Sequence, residues 1–235
     1  MARHNAKRVL LFGGGGIHDF RTICNVLQEY LEEVEAFTVD FVAEDYDVFL
    51  KERIKTYDLA LIYHTGGALT AEQASGLTQW VAAGHGFVGV HSAADSFTSN
   101  ADYIAMLGAV FRRHPAVRRF IVSLVDPVPG VDSIENRMTH PVTAGMEGIK
   151  KKEWESWPIF EYEVEDEQYL VEMVSHVEVL ACTLYKGRAC PIAWTRSWGT
   201  GRVFYLALGH DVHACGFPFF KTIFQRGARW AAGLL

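Results

Sequence analysis

Imidazole is the side chain best suited to move protons or bind a divalent metal near neutral pH. This sequence repeatedly places one where a strand-like run gives way to a turn. KRVLLF (Lys7–Phe12) is followed by Gly13-Gly14-Gly15-Gly16-Ile17-His18-Asp19, and LALIY (Leu59–Tyr63) by His64-Thr65-Gly66-Gly67. GFVGV (Gly86–Val90) is followed by His91-Ser92-Ala93-Ala94-Asp95, and the last apolar run leads into Gly209-His210-Asp211. In an open parallel α/β sheet, ligands bind in the crevice beyond the carboxyl ends of the strands. His18, His64, His91 and His210 are therefore expected to converge at one edge. With a carboxylate in reach, such a set can abstract a proton next to a carbonyl and return it elsewhere. Three of these side chains, His18, His91 and His210, are also candidate ligands for zinc, manganese or iron, which would polarise the carbonyl. No compact spacing such as H-E-x-x-H decides between the two chemistries.

Other motifs narrow the field. Gly89-Val90-His91-Ser92-Ala93 occupies the place of a nucleophile elbow, G-x-[SC]-x-G, but with a histidine at its centre. An acyl-enzyme mechanism is disfavoured. The glycine run could cradle an anion, yet the dinucleotide fingerprint fails at its third position, which is His18, and no Walker lysine follows. Glu161, Glu163, Glu165 and Glu167 alternate along a strand-like stretch and would share one face, which suits a solvated sheet edge. The four cysteines, Cys24, Cys182, Cys190 and Cys215, show no C-x-x-C spacing and read as reduced, mostly buried thiols. Cys215 is expected in a loop.

These residues need a frame. Lys7–Phe12, Phe37–Val42, Leu59–Tyr63 and Gly86–Val90 read as strands. Asp19–Glu33 has helical apolar spacing, Asp45–Lys55 reads as a charged helix, and Thr70 with Gln73 forms a capping box ahead of a helix over Ala71–Ala83. Gly84 is its expected C-cap. Alternating β and α elements predict a doubly wound parallel sheet. The second half reads differently, with strands at Phe120–Val125, Val177–Leu184, Ala189–Trp194 and Arg202–Leu206. Asp126–Lys152 is loop-like, Lys186-Gly187 marks a hairpin, and Phe217–Leu235 closes as an amphipathic helix.

With 235 residues, 49% apolar and 21% charged, the chain can bury a substantial core. A net charge of −6 argues against a nucleic-acid or anionic-membrane partner. No apolar run reaches the ~18 residues of a membrane span. The polar start, Met1 to Arg8, does not read as a signal peptide, so a cytoplasmic location is expected.

Several segments are collinear over nearly the whole chain. They are Ile17-His18-Asp19, WVAAGHGFVGVHS (Trp80–Ser92), Leu107–Phe111 with His114-Pro115, and HPVTAGM (His140–Met146). Asp166-Glu167-Gln168-Tyr169, Pro191–Trp194, GTGRVFY (Gly199–Tyr205), Leu208–Asp211 and Trp230-Ala231 complete the series. Together they resemble the ThuA-like (trehalose utilisation) family. The resemblance implies a flavodoxin-like three-layer α/β/α fold of the class I glutamine amidotransferase-like type. It would have a mostly parallel central sheet and an elaborated antiparallel second half, in a single domain spanning 1–235. It also implies an amidotransferase relative without the catalytic cysteine, associated with uptake and conversion of trehalose and similar disaccharides through 3-keto sugars. The family's motifs place His18, His91, His114, Glu167 and His210 near the cleft, while His64 rests mainly on its strand-end position. Lys150–Trp157 reads as an insertion that bears on the register around Glu167.

Two readings of function follow. In the first, the protein is a carbohydrate-active enzyme acting on a sugar or keto-sugar, with or without a divalent metal. His91, Glu167 and His210 are its catalytic groups, and His18, His64, Asp95, His114, Tyr169 and Asp211 line the substrate. Trp154, Trp157, Trp194 and Trp198 are candidate sugar platforms, Trp194 being first a core residue. In the second, an amidotransferase-like scaffold only binds a sugar or a partner subunit. A homo-oligomer is compatible with either. The ionisable cluster favours the enzyme, because a site that only binds has little use for several such groups in one cleft. Of the remaining histidines, His4, His85 and His176 are read as non-functional, and His140 as holding a turn, its place in the family motif leaving a site role open.

Overall fold

A computed structural model describes residues 6–125, 140–146 and 160–235. Its main sheet is read most easily from the strands that carry no polar face. β1 (Lys7–Gly14), β3 (Leu59–His64) and β4 (Gly86–Val90) are almost continuously apolar and buried on both sides, which suits the middle of a parallel sheet. β2 (Phe37–Ala43) pairs parallel to β1, and β11 (Gly201–Leu206) pairs parallel to β4. The five strands run β2-β1-β3-β4-β11, the flavodoxin-like order. α1 (Phe20–Glu32), α5 (Val212–Cys215) and α6 (Pro218–Ala231) pack together against one face. α2 (Lys51–Ile54), α3 (Ala71–Ala82) and α4 (Ala101–Leu107) pack against the other.

Beyond β11 the sheet turns antiparallel through β10 (Arg188–Trp198), β9 (Glu178–Tyr185), β6 (Arg118–Leu124) and β7 (Glu161–Asp166). The expected α/β frame with an antiparallel second half is therefore present. β9 and β10 are joined by Lys186-Gly187, both at positive φ, as a two-residue hairpin with right-handed strand twist requires. A separate pair, β5 (Ala109–Arg113) with β8 (Leu170–Met173), stands beside the main sheet. Among the described residues, no helix is long and apolar enough to cross a membrane.

Local differences from the expected elements have physical causes. The segment expected as one charged helix, Asp45–Lys55, breaks at Leu50, whose extended backbone separates a 3-10 turn (Tyr46–Phe49) from α2. The break lets Val48, Phe49 and Ile54 all reach the core. Glu161, Glu163 and Glu165 do lie on edge strand β7, where Arg119 of β6 pairs with Glu163 and Glu165. β7 ends at Asp166, so Glu167 leaves the ladder instead of continuing the glutamate face. Cys215 lies in α5 and not in a loop, and burial pushes its thiol pKa up. All four cysteines are free, with Cys24 and Cys215 buried and the other two half-buried. Most of Asp126–Lys152, all of Lys150–Trp157, and with them Trp154, Trp157 and His4, lie outside the described residues.

Candidate active site

The carboxyl ends of β1, β3, β4 and β11 meet at one edge, and strand register decides which side chains meet there. Val90 pairs with Leu206, so the residues just beyond each strand, His91 and Ala207, are neighbours. The His91 Nδ1–H donates to the Ala207 carbonyl at 2.8 Å, and the Tyr205 hydroxyl donates to the His91 carbonyl at 2.7 Å. His91 has φ +44°, a left-handed value that strains a residue with a Cβ. This is the strained turn of a nucleophile elbow, occupied by an imidazole. His18 ends the glycine-rich turn after β1, immediately before Asp19, which caps α1. Its Nδ1 lies 2.8 Å from the Thr65 hydroxyl at the end of β3.

The carboxylate comes from the antiparallel half. Arg118 pairs with Asp166 at the end of β7, which delivers Glu167 to the same edge. Glu167 Oε2 lies 3.4 Å from His91 Nε2 and 3.2 Å from His210 Nδ1, and Oε1 lies 2.8 Å from His114 Nδ1. One ligand atom from each of His18, His91, Glu167 and His210 falls within 4.8 Å of the other three. The β5–β8 pair completes the rim: Arg113 faces Leu170, so His114 and Tyr169 flank the opening. The Tyr169 ring packs on His91 with centroids 3.9 Å apart and on Phe111 at 4.3 Å.

The groups tune one another. Burial, aided by the neighbouring His91 and His210, pulls His18 down from 6.5 to about 4, so it is neutral at physiological pH. Burial alone would raise the Glu167 carboxyl, but the facing His210 and His91 imidazoles outweigh it and hold Glu167 well below the usual carboxylate range. Glu167 in turn raises His210 above its ordinary value. A cleft of about 350 Å³ opens beside the cluster, lined among others by Ile17, His18, Asp19, His210, Asp211 and His213.

Of the four strand-end histidines, three converge and one does not. His64 is buried, ring-stacked between Phe12 and Phe97, with Nε2 2.9 Å from the Tyr46 hydroxyl. Its ring is held among Phe12, Phe97 and Tyr46 and is not part of the cluster of His18, His91, Glu167 and His210. Asp211 caps α5 by accepting from the Ala214 N–H at 2.8 Å, while also lining the cleft. Asp95 is half-buried, and burial raises its pKa. Trp194 is a core residue, donating to the Leu107 carbonyl at 2.9 Å. Trp198 donates to the Thr78 carbonyl at 3.0 Å and, with Asp102, lines a different cavity. His140 does hold a turn, accepting from the Val142 N–H at 3.1 Å.

Sequence reasoning missed Asp166 as a site residue. It is 1% exposed and its carboxylate accepts from the N–H groups of Gly209 (2.7 Å), His210 (3.1 Å) and Glu167 (2.7 Å). One buried carboxylate thus fixes the backbone of two cluster residues from different strands. Its signal in the sequence was position alone: it precedes Glu167 where the alternating glutamates stop. Thr65, the partner of His18, carried no signal beyond adjacency to His64.

A family model described as ThuA, trehalose utilisation, matches residues 8–231. Among solved structures, a ThuA-like protein from Parabacteroides merdae ATCC 43184 superimposes with a TM-score of 0.79 at 20% identity, covering 97% of this chain and 90% of its own. One from Bacteroides uniformis ATCC 8492 gives 0.71 at 19% identity, covering 96% and 91%. A β-galactosidase from Rahnella sp. R3 gives 0.63 at 14% identity; 98% of this chain matches only 32% of that one. At these identities the structural likeness concerns the fold. No curated protein matches the sequence.

Proposed function

The chain belongs to the ThuA (trehalose utilisation) family, and from that premise we propose that it is a carbohydrate-active enzyme acting on a sugar or keto-sugar at the His18–His91–Glu167–His210 cluster. The single observation that carries this reading is the convergence of three imidazoles and one carboxylate within 4.8 Å at the carboxyl edge of the sheet. A scaffold that only binds sugar would do so with aromatic platforms and neutral amides, and would gain nothing from a strained, buried imidazole such as His91.

The chemistry these groups suit is removal of a proton next to a sugar carbonyl. The proton passes to an imidazole of the site and the carbonyl oxygen becomes an oxyanion, whose charge calls for a positive partner within the cluster. His114 touches Glu167 and is also open to water, with 41% of its side chain exposed. It is therefore placed to pass a proton between the site and solvent. The described lining of the adjacent cleft contains carboxylates and imidazoles but no Lys or Arg, which suits an uncharged sugar better than a phosphorylated one. Thiol chemistry has no support: Cys24 and Cys215 are buried, with thiol pKa values raised by that burial.

The test is proton exchange. A keto-disaccharide is incubated with the protein in deuterated water and followed by NMR. Enzyme-dependent loss of the C–H signal next to the carbonyl, abolished in His91→Asn, supports the proposal. No exchange and no conversion across a panel of keto-sugars and parent disaccharides would leave the binding-only reading in its place.

A further inference from the structure

The cluster is rich in lone pairs and short of protons. His91 commits its Nδ1–H to the Ala207 carbonyl, which can only accept, so Nε2 faces inward bare. His18 engages Thr65 through Nδ1, leaving Nε2 for the cluster. His18 Nε2, His91 Nε2 and His210 Nδ1 are all buried without a hydrogen-bond partner, and Glu167 Oε2 approaches the latter two at 3.4 and 3.2 Å. Buried acceptors turned toward one another cost free energy unless positive charge lies among them. A proton shared by His210 and Glu167 would satisfy that pair alone, and would leave two buried nitrogens unanswered.

We infer that His18, His91, Glu167 and His210 bind a resident divalent first-row metal ion, of the zinc, manganese(II) or iron(II) class. Ligands about 2.1 Å from one ion lie roughly 3.0–3.4 Å apart when tetrahedral or cis-octahedral. The two nitrogen-to-oxygen spacings at Glu167, 3.4 and 3.2 Å, fit that range. Three nitrogens and one carboxylate oxygen suit these metals better than calcium or magnesium, which prefer oxygen alone. The outer shell is also in place. Metal-bound imidazoles characteristically donate their other N–H to a carbonyl or carboxylate, as His91 does to Ala207. Glu167 Oε1 is held at 2.8 Å by His114. Asp166 anchors the backbones of Glu167 and His210 together. When bound, the ion would supply Lewis-acid polarisation of a sugar oxygen. The metal inference does not depend on which sugar is the substrate.

The experiment uses the full chain, purified without chelator or histidine tag. Metal is counted by elemental mass spectrometry; the protein is then stripped and titrated with Zn²⁺, Mn²⁺ or Fe²⁺ alone. The expected result is about one ion per chain, with binding weakened roughly a hundredfold in Glu167→Gln and His18→Ala, and about tenfold in Asp166→Asn. Far-UV circular dichroism checks folding. Should His18→Ala misfold, the nearly isosteric Glu167→Gln carries the test. Less than a tenth of an ion per chain after metal is added back overturns the inference, as does stoichiometric metal that persists unweakened in Glu167→Gln. Either outcome is independent of sugar turnover, so failure of the metal site and failure of the sugar reading are separable.

Discussion

At the scale of single residues, the chemistry turns on which nitrogen of each imidazole is spoken for. His91 and His18 each have one ring nitrogen engaged, by the Ala207 carbonyl and the Thr65 hydroxyl, and the other facing the cluster. Removing such a partner loosens the ring without deleting it. Thr65→Val, which conserves shape, is expected to lower kcat/KM by about 10–100-fold. Steady-state kinetics would show it, and a rate within twofold of wild type would mean that Thr65 does not orient His18. The candidate positions His18, His91, Glu167 and His210 were legible in the sequence because each follows a strand-like run or a family motif. Asp166 was not, since its work is done through three backbone N–H groups from two segments more than forty residues apart. His64 shares the strand-end position but not the cluster. Strand-end position fixes where a residue starts, but the neighbouring rings Phe12, Phe97 and Tyr46 decide where its side chain goes.

At the scale of elements, the site depends on helices holding the sheet edge in place. α3 begins with the capping box foreseen from Thr70 and Gln73: Thr70 accepts from the Gln73 N–H at 3.2 Å, and Gln73 Oε1 accepts from the Thr70 N–H at 2.9 Å. Thr70→Ala is expected to cost about 1 kcal/mol of stability, read from a denaturant midpoint, without change in KM. α6 approaches β11 through Gly227, where an added Cβ would collide with the Phe204 ring. Alanine would gain about 1 kcal/mol in helix propensity. Overpacking a buried contact costs roughly 1–3 kcal/mol, so Gly227→Ala is expected to be net destabilising; a raised melting temperature would show that Phe204 yields freely. Elements with strong local signals were legible: buried parallel strands, the capping box and the Lys186-Gly187 turn. α4 and the β5–β8 pair were not, because β5 and β8 are short and their partners are distant in sequence. Those two strands nevertheless place His114 and Tyr169.

At the scale of the molecule, burying neutral histidines ties stability to pH. His64 is pulled by burial from 6.5 to about 4. Below 6.5 the unfolded chain takes up a proton there that the folded chain refuses until about pH 4, so stability falls as pH drops through this window. From pH 7 to pH 5 this one residue is expected to cost about 2 kcal/mol. The His64→Gln variant should therefore show a flatter dependence of melting temperature on pH. An equal slope in variant and wild type would assign acid sensitivity elsewhere. The same contrast separates the two kinds of strand-end histidine in this fold: His64 serves packing, and His91 faces the cluster.

That contrast sets up one decisive measurement. It is kcat/KM for conversion of a keto-sugar by His91→Asn, set against His64→Gln. Asparagine tolerates the left-handed backbone of residue 91. The expected result is a fall of roughly 10²–10⁴-fold for His91→Asn, and near wild-type turnover with reduced stability for His64→Gln. Undiminished turnover in His91→Asn would contradict it, because the cluster would then not be where the reaction occurs.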